Sequence, residues 1–572
     1  MTSNYPRYAL WCLLGLALWL NYQAWMRDYA LAPSAPAAAG AHGATAPTSV
    51  AGRLDAAIPG SSTPQAATPA RPVAEPAHVT SASSAEAAAA GGLVHVRTDV
   101  LDLLFSLKGG TLVQADLPKY PRVKGEKQPV RLENRDSPET LYLLDTGLSG
   151  PGTQPRPTHL ATFTSAQSEY ALADGQDELR VPFVWTDEHG VTVTKEFVLH
   201  RGEYQIEVQQ RVQNHSEAPW AASAYAEILR DDPPQPKRGL FNFNVESYSF
   251  RGPAIYDGKK FRKLNLGDNE DRHLSIDVKS GWLAALQHHF LSAIIPPAQA
   301  PYVYTLSVNN LEYALAAGGP SVTVAPGDSH VFAMSLFVGP KLQAQLAQAG
   351  PELQRAADYG RLYFISDPLF WLLEHVDALL HNWGWSIIVV TFMLKLVFYP
   401  LSEASGRSMA KMKALGPRIK NIQEMYKDDR EKSGRAMMEL YKREKVNPVT
   451  GCLPTIVQIP VFFAFYWVLI ESVEMRQAPF IGWIHDLSSR DPLFILPLIM
   501  AAAMFGQYKL NPTPPDPVQA KVFMFMPLVM SAMFAFFPAG LVLYWVTNTV
   551  LSIAQQWNIN RRIGAAAAAR SG

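Results

Sequence analysis

Lys395 stands inside an almost wholly apolar run, residues 383–401, bounded by Trp383, Trp385 and Tyr399. Aromatic residues at the ends of such a run act as anchors at the two faces of a membrane. The lysine follows Trp385 by ten residues, about 15 Å along a helix and so near mid-membrane. An ammonium there is costly unless it meets water, a partner or a polar cavity, although a lysine stem can also snorkel toward the surface. Thr391 falls one helical turn earlier on the same face. Other apolar runs carry neutral polar residues: Thr455 and Gln458 in 452–470, and Asn548, Ser552 and Gln555 on one helical face at the end of the chain. None of these runs contains an acid to neutralise Lys395. A lone cation among neutral polar groups is read as a hydrated groove that receives a transient anionic visitor.

Other chemistry finds little support. The chain has no G-x-S-x-G, H-E-x-x-H or G-x-G-x-x-G pattern, and Gly258-Lys259-Lys260 lacks the spacing and the final hydroxyl of a phosphate loop. His288-His289 and His375 with His381 do not have metal-ligand spacing, and Asp231-Asp232 reads as solvated loop charge. No metal, cofactor or catalytic residue is assigned, and the chain is read as not an enzyme. Fifty basic residues balance fifty acids, which gives no basic face for sequence-specific nucleic acid. Cys12 and Cys452 lie at opposite ends in or beside apolar runs, so no disulfide framework is expected.

The elements that must position the lysine fall into a mosaic. Arg7, an apolar stretch to Leu20, then Tyr22 and Trp25 suggest an N-terminal transmembrane anchor over 1–30 with its start in the cytoplasm. Residues 31–90 are rich in Ala, Pro, Ser and Thr and predict a flexible tether. Alternating runs such as Val94-His95-Val96 and Val191-Thr192-Val193 predict an all-β sandwich domain over 91–360, closed by a helical stretch from Lys341 to about Tyr359. An amphipathic interfacial helix is expected over 361–382, starting at Asp367-Pro368 and carrying Trp371 on its apolar face.

A five-span core is expected over 383–560, with spans at 383–401, 452–470, 492–508, 522–537 and 541–554, followed by a basic tail at 561–572. Several spans are at or below the roughly 17 residues that cross a normal hydrocarbon core, which implies a locally thinned bilayer. Between Arg407 and Thr450 twelve bases face six acids, and Arg561, Arg562 and Arg570 have no acid beside them. That places this segment and both termini in the cytoplasm, and the β domain outside. Within 404–450, Met409, Met412, Leu415, Ile419, Ile422 and Met425 recur at helical spacing, and Met437, Leu440 and Tyr441 follow after Asp428-Asp429. This predicts a helical hairpin with an apolar seam, whose pliable methionines suit varied apolar sequences.

These residues resemble the YidC-type membrane protein insertases. The resemblance rests on Trp383-Gly384-Trp385-Ser386 through Tyr399-Pro400-Leu401, Met409-Ala410-Lys411-Met412, Glu444-Lys445-Val446-Asn447-Pro448, Gln477-Ala478-Pro479-Phe480, Trp483-Ile484-His485-Asp486-Leu487 and Gly540-Leu541-Val542-Leu543-Tyr544-Trp545. Thr98-Asp99-Val100-Leu101-Asp102-Leu103 is similar to the start of the family's periplasmic domain. The resemblance implies a periplasmic β-supersandwich, a five-helix core and a substrate groove open to cytoplasm and lipid, centred on one positive residue. That residue is arginine in the best-known members and matches Lys395, which keeps the charge but loses the planar fork. Tyr544 and Trp545 match substrate contacts, and the second is commonly tyrosine. Implied partners are nascent integral membrane proteins, the Sec translocon, the ribosome with signal-recognition machinery, and membrane lipids. Two rival classes are a secondary transporter, which would show paired repeats, and a membrane-anchored periplasmic carbohydrate-active protein, which would show an acid pair.

Overall fold

The computed structural model describes residues 92–571 apart from 136–139, 153, 232–248, 299, 310–311, 427–428, 445, 447 and 511–516. The anchor and tether expected over 1–30 and 31–90 lie outside the described residues. Two compact units emerge, one of strands and one of helices.

In the β unit, the described strands run from Leu93–Arg97 to Ser329–Pro340 and form an eleven-stranded and an eight-stranded sheet. The β-sandwich expectation holds. The alternating run at Val191 becomes Val191–His200, and the neighbouring strand Gln205–Asn214 pairs with it antiparallel. Alternate side chains of both strands are buried, as one covered face requires. Gln205–Asn214 then pairs with the distant Ser329–Pro340, a long-range connection that knits the sheet across the domain. Between the sheets lie Phe105, Phe183, Phe197, Trp220, Trp282 and Tyr304, each at most 2% exposed. Side chains of this size contribute about 1.5–3 kcal/mol each when fully buried.

Two local details explain otherwise ordinary residues. Thr98 Oγ1 accepts hydrogen bonds from the backbone of Val100 (3.3 Å) and Leu101 (3.0 Å), turning the chain between its first two strands. Gly339 lies under the buried ring of Tyr204, where a β-carbon would come within 2.6 Å. Gly339→Ala is therefore expected to destabilise the β unit by about 1–3 kcal/mol. A lowered denaturation midpoint with unchanged slope checks this, and an unaltered midpoint refutes it.

The helical stretch after Lys341 is not continuous. It forms α1 (Gln343–Ala349) and a 3₁₀ turn at Leu353–Ala357, because Gly350 and Pro351 interrupt the backbone ladder.

In the helical unit, α2 (Tyr363–Leu380) begins before the expected Asp367-Pro368 start, with Pro368 inside the helix. Leu369, Phe370, Leu373 and Val376 form its buried face, while Trp371 is 57% exposed on another. The apolar face expected to carry Trp371 is thus divided between packing and exposure.

Next come α3 (Trp383–Val397) and α4 (Tyr399–Ala414), bent by 64° where the sequence suggested one run over 383–401. Pro400 supplies the cause: it has no N–H, and its ring crowds the carbonyl one turn back. The methionine run of the hairpin also breaks, at Gly416-Pro417, giving α5 (Gly416–Met425) and then α6 (Arg430–Arg443). Asp429 caps α6 by accepting from the backbone of Lys432 at 3.0 Å. The remaining helices are α7 (Pro448–Glu471), α8 (Ile495–Leu510), α9 (Pro517–Phe534) and α10 (Ala539–Ser571).

Among the described residues no single helix is both long and apolar enough to cross a membrane by itself. The bent pair α3–α4 passes that test jointly, and three shorter apolar stretches lie at Ile456–Glu471, Ile495–Leu510 and Lys521–Phe534.

Candidate functional site

The β-branched residues Ile387, Ile388, Val389 and Val390 give α3 its apolar body, and Asn382 caps its start by accepting from the backbone of Trp385 at 3.2 Å. Lys395 is in the last turn of this helix, just before the bend. Free carbonyls at a helix C-terminus favour a cation there. The side chain runs inward rather than to an open surface, and the residue is 9% exposed.

Its ammonium donates to Ser552 Oγ at 2.8 Å and to Gln458 Oε1 at 3.4 Å. Ser552 is on α10 and itself donates to the carbonyl of Asn548, one turn earlier, at 2.7 Å. Three helices therefore meet at one cation, and among the described residues both of its hydrogen-bonding partners are neutral. A small cavity beside it is lined by Thr391, Leu394, Lys395, Phe398, Gln458, Val461, Tyr544 and Asn548. Its volume is about 10 Å³, room for about one water.

Most residues singled out in the sequence converge here. Lys395, Thr391, Gln458, Asn548 and Tyr544 line the cavity, and Ser552 bonds the lysine directly. The Thr391 hydroxyl is engaged by its own helix, donating to Ile387 O at 2.6 Å. Tyr544 is 5% exposed and stacks on Phe465 with ring centres 4.6 Å apart.

Trp545 is not a lining residue. It turns away and packs against Phe462 (4.8 Å) and Phe534 (5.1 Å). Adjacent helix positions point about 100° apart, and the rotation that aims Tyr544 at the cavity carries Trp545 toward Phe462 and Phe534. The side chain of Thr455 lies outside the described residues. Leu394, Phe398 and Val461 were missed, although helical spacing from Thr391 and Gln458 would have found them.

The hairpin methionines divide. Met412 and Met437 pack on the buried cluster of Leu415, Ile419 and Val446, together with Leu440 and Tyr441. Met409 is half-buried, and Met425 is 71% exposed on the outer side.

The β unit has a larger cleft of about 490 Å³, lined by residues including Asp116, Arg131, Tyr142 and Arg230. Arg131 grips the Asp116 carboxylate through two hydrogen bonds of 2.8 and 2.9 Å. Asp231 lines the same cleft.

Comparison with known proteins adds to this geometry. Residues 93–372 match the family described as the YidC periplasmic domain, and residues 375–566 match the family described as 60Kd inner membrane protein. A membrane protein insertase YidC from Thioalkalivibrio sulfidiphilus is 44% identical over 570 residues, covering 97% of this chain and 98% of that one. The corresponding protein of Azotobacter vinelandii is 46% identical over 488 residues, covering 85% of this chain and 87% of its own. A crystal structure of an active YidC insertase with its first transmembrane domain resolved covers 81% of this chain and 92% of its own, at 18% identity and a TM-score of 0.36. With near-full-length matches above 40% identity and both of the family's domains present in order, the chain belongs to the YidC family of membrane protein insertases, inner-membrane proteins with a periplasmic domain.

Proposed function

We propose that this chain inserts nascent integral membrane proteins into the inner membrane and helps them fold, with Lys395 as the electrostatic centre of the receiving groove. The observation that carries this reading is the buried ammonium held only by neutral groups among the described residues. A fixed carboxylate partner would satisfy the charge permanently. Two neutral partners leave its charge uncompensated and able to attract an acidic residue in the tail or hairpin of an incoming chain. The water-sized cavity is the resting form of the groove, which widens toward cytoplasm and lipid as the substrate enters.

Short apolar helices and the bend at Phe398 shorten the apolar path, so the polar tail crosses a thinned bilayer while the apolar segment passes into lipid. The driving terms are hydrophobic partition and the membrane potential, worth about 2.3 kcal/mol per charge per 100 mV. No cofactor or covalent step enters this scheme.

In this topology both termini and the hairpin 404–450 are cytoplasmic, the β unit is periplasmic, and α2 rests its exposed Phe364, Trp371 and Leu379 in the outer interface. The hairpin, with Met409, Met412, Met425 and Met437, receives chains from the ribosome and signal-recognition machinery. The Sec translocon is a second partner, for substrates with several spans.

Photocrosslinking from positions 395, 458 and 545 to a stalled nascent chain tests the site. Positions 395 and 458 are expected to capture the substrate strongly and position 545 weakly, with a probe at position 131 of the β unit as the reference. Capture at 131 without capture at 395 would refute the groove.

A further inference from the structure

Four amide side chains, Gln555, Gln556, Asn558 and Asn560, stand close together on α10. Three of them are engaged: Gln556 Nε2 donates to Asn560 Oδ1 at 3.0 Å, and Asn558 Nδ2 donates to the Tyr399 hydroxyl of α4 at 3.3 Å. Gln555 differs. Its Nε2 is buried and has no hydrogen-bond partner among the described residues. Leaving a buried donor unpaired is costlier than filling its place with an apolar group of the same shape. Packing alone therefore gives no reason for a glutamine here, and a buried polar group without a partner calls for another explanation.

Its position supplies one. Asn548, Ser552 and Gln555 follow one another at four- and three-residue spacing, so they share a face of α10. Asn548 lines the cavity, and Ser552 accepts from the Lys395 ammonium at 2.8 Å. Gln555 continues this row by one turn, about 4.5 Å along the axis, in the direction away from the helix start at Ala539. The turn after it is covered by α4, where a β-carbon on Gly406 would come within 2.8 Å of Ile559. Along α10 the amide therefore stands between the lysine and the α4 contact.

We propose that Gln555 is a second substrate-contacting residue, whose amide donates to the carboxylate of an incoming acidic tail before that carboxylate reaches Lys395. The proposal rests on the topology and charge mechanism given above, in which the far end of α10 is cytoplasmic and the tail arrives from that side. Such a tail passes Gln555 one turn ahead of Ser552. A neutral donor suits this place. It forms a charge-assisted bond with a carboxylate, yet it carries no charge of its own to hold the tail short of the ammonium, whose Coulomb attraction is the stronger. The field of that ammonium also makes an anion, rather than a backbone carbonyl of the substrate, the favoured acceptor at this donor.

Gln555→Leu separates a substrate contact from a packing role, because the two predict opposite balances of stability and function. The leucine removes the unpaired donor, so the full chain in detergent is expected to unfold thermally at or above the native midpoint. Insertion of an acidic-tailed single-span substrate should nonetheless fall about fivefold, a modest share of one charge-assisted hydrogen bond, while insertion of a neutral-tailed one is unchanged. Gln555→Met, of nearly the same length and unbranched, should give the same pattern and replaces the leucine variant if that one does not fold. Acidic-tail insertion that is retained, or equal losses with both tails, would overturn the proposal.

Two parallel variants fix the reading. Gln556→Leu breaks the bond to Asn560, so it should lower the unfolding midpoint and affect both tails alike; an acid-selective loss as large as that of Gln555→Leu would overturn the assignment to Gln555. Lys395→Met reports on the charge mechanism itself. If it is acid-selective and Gln555→Leu is not, the proposal for Gln555 fails and the charge mechanism stands. If neither is acid-selective, both fail together.

Discussion

Replacing Lys395 with glutamate will cut insertion of an acidic-tailed single-span substrate more than tenfold, whereas replacing it with arginine will preserve insertion. Tenfold corresponds to about 1.4 kcal/mol. A charge pair at 4 Å is worth about 4 kcal/mol at the effective dielectric typical near a protein surface, so loss and reversal of the attraction comfortably exceed that threshold. The competing explanation is damage to the helix junction. A buried glutamate facing Gln458 Oε1 would itself disturb the junction, but such damage lowers insertion of acidic and neutral tails alike.

Lys395→Met separates the two effects by keeping an unbranched apolar stem while removing the charge. It should impair the acidic-tailed substrate several-fold and leave a neutral-tailed one nearly unchanged. The glutamate variant should further favour a basic-tailed substrate over an acidic one, reversing the native order. Insertion followed by protease protection of the translocated tail checks all of these. If acidic and neutral tails respond alike to every substitution, the charge mechanism is wrong.

The junction around Lys395 was legible in the sequence because a helical face is periodic. Thr391 and Lys395 on one helix, and Asn548 and Ser552 on another, each repeat at one-turn spacing and do come together. The sequence could not reveal how closely the three helices approach. Whether a polar row lines an open groove or a cavity of about 10 Å³ is a matter of tertiary packing.

Proline effects were misplaced for a related reason. Hydropathy runs straight through Phe398, Tyr399 and Pro400, yet the backbone cannot, and the bend places Lys395 at a helix end rather than mid-helix. Trp545 lies outside the cavity, which the resemblance could not foretell because likeness between aligned residues carries no side-chain direction. The helix rotation that aims Tyr544 at the cavity aims its neighbour at Phe534. In the β unit, alternation gave the strands, but the pairing of Gln205–Asn214 with Ser329–Pro340 is a contact over more than a hundred residues that no local pattern encodes.

The β unit should be least stable near neutral pH, with stability rising on both sides, and Lys195 should dominate the alkaline side. Lys195 is fully buried between the sheets, donating to Gly109 O (2.9 Å) and Thr146 O (2.7 Å), with the rings of Phe163 and Phe197 within 5.6 Å. Burial pushes its ammonium down to about 7 from 10.5. Between those values the unfolded chain binds the additional proton, so stability climbs as pH rises from about 7 to 10.5.

Glu133 is fully buried beside Ser292, and burial pushes it up to about 7 from 4.5. Between 4.5 and 7 the folded chain binds the additional proton, so stability falls as pH rises through that window. Burial also raises the Asp145 carboxyl, which faces Lys195, and this acts in the same direction as Glu133. Each group contributes at most about 1.4 kcal/mol per pH unit.

Lys195→Met should therefore flatten the alkaline limb. It should also cost about 1–3 kcal/mol near pH 7, because two buried carbonyls lose a donor, and the deficit should widen toward pH 10. Glu133→Gln should flatten the acidic limb and leave the alkaline one intact. Calorimetric unfolding of the full chain in detergent, scored on the β-unit transition from pH 5 to 10, measures both limbs. A profile that rises to a maximum at pH 7, or a Lys195→Met variant whose deficit shrinks with pH, would show that burial of Lys195 does not set the alkaline limb.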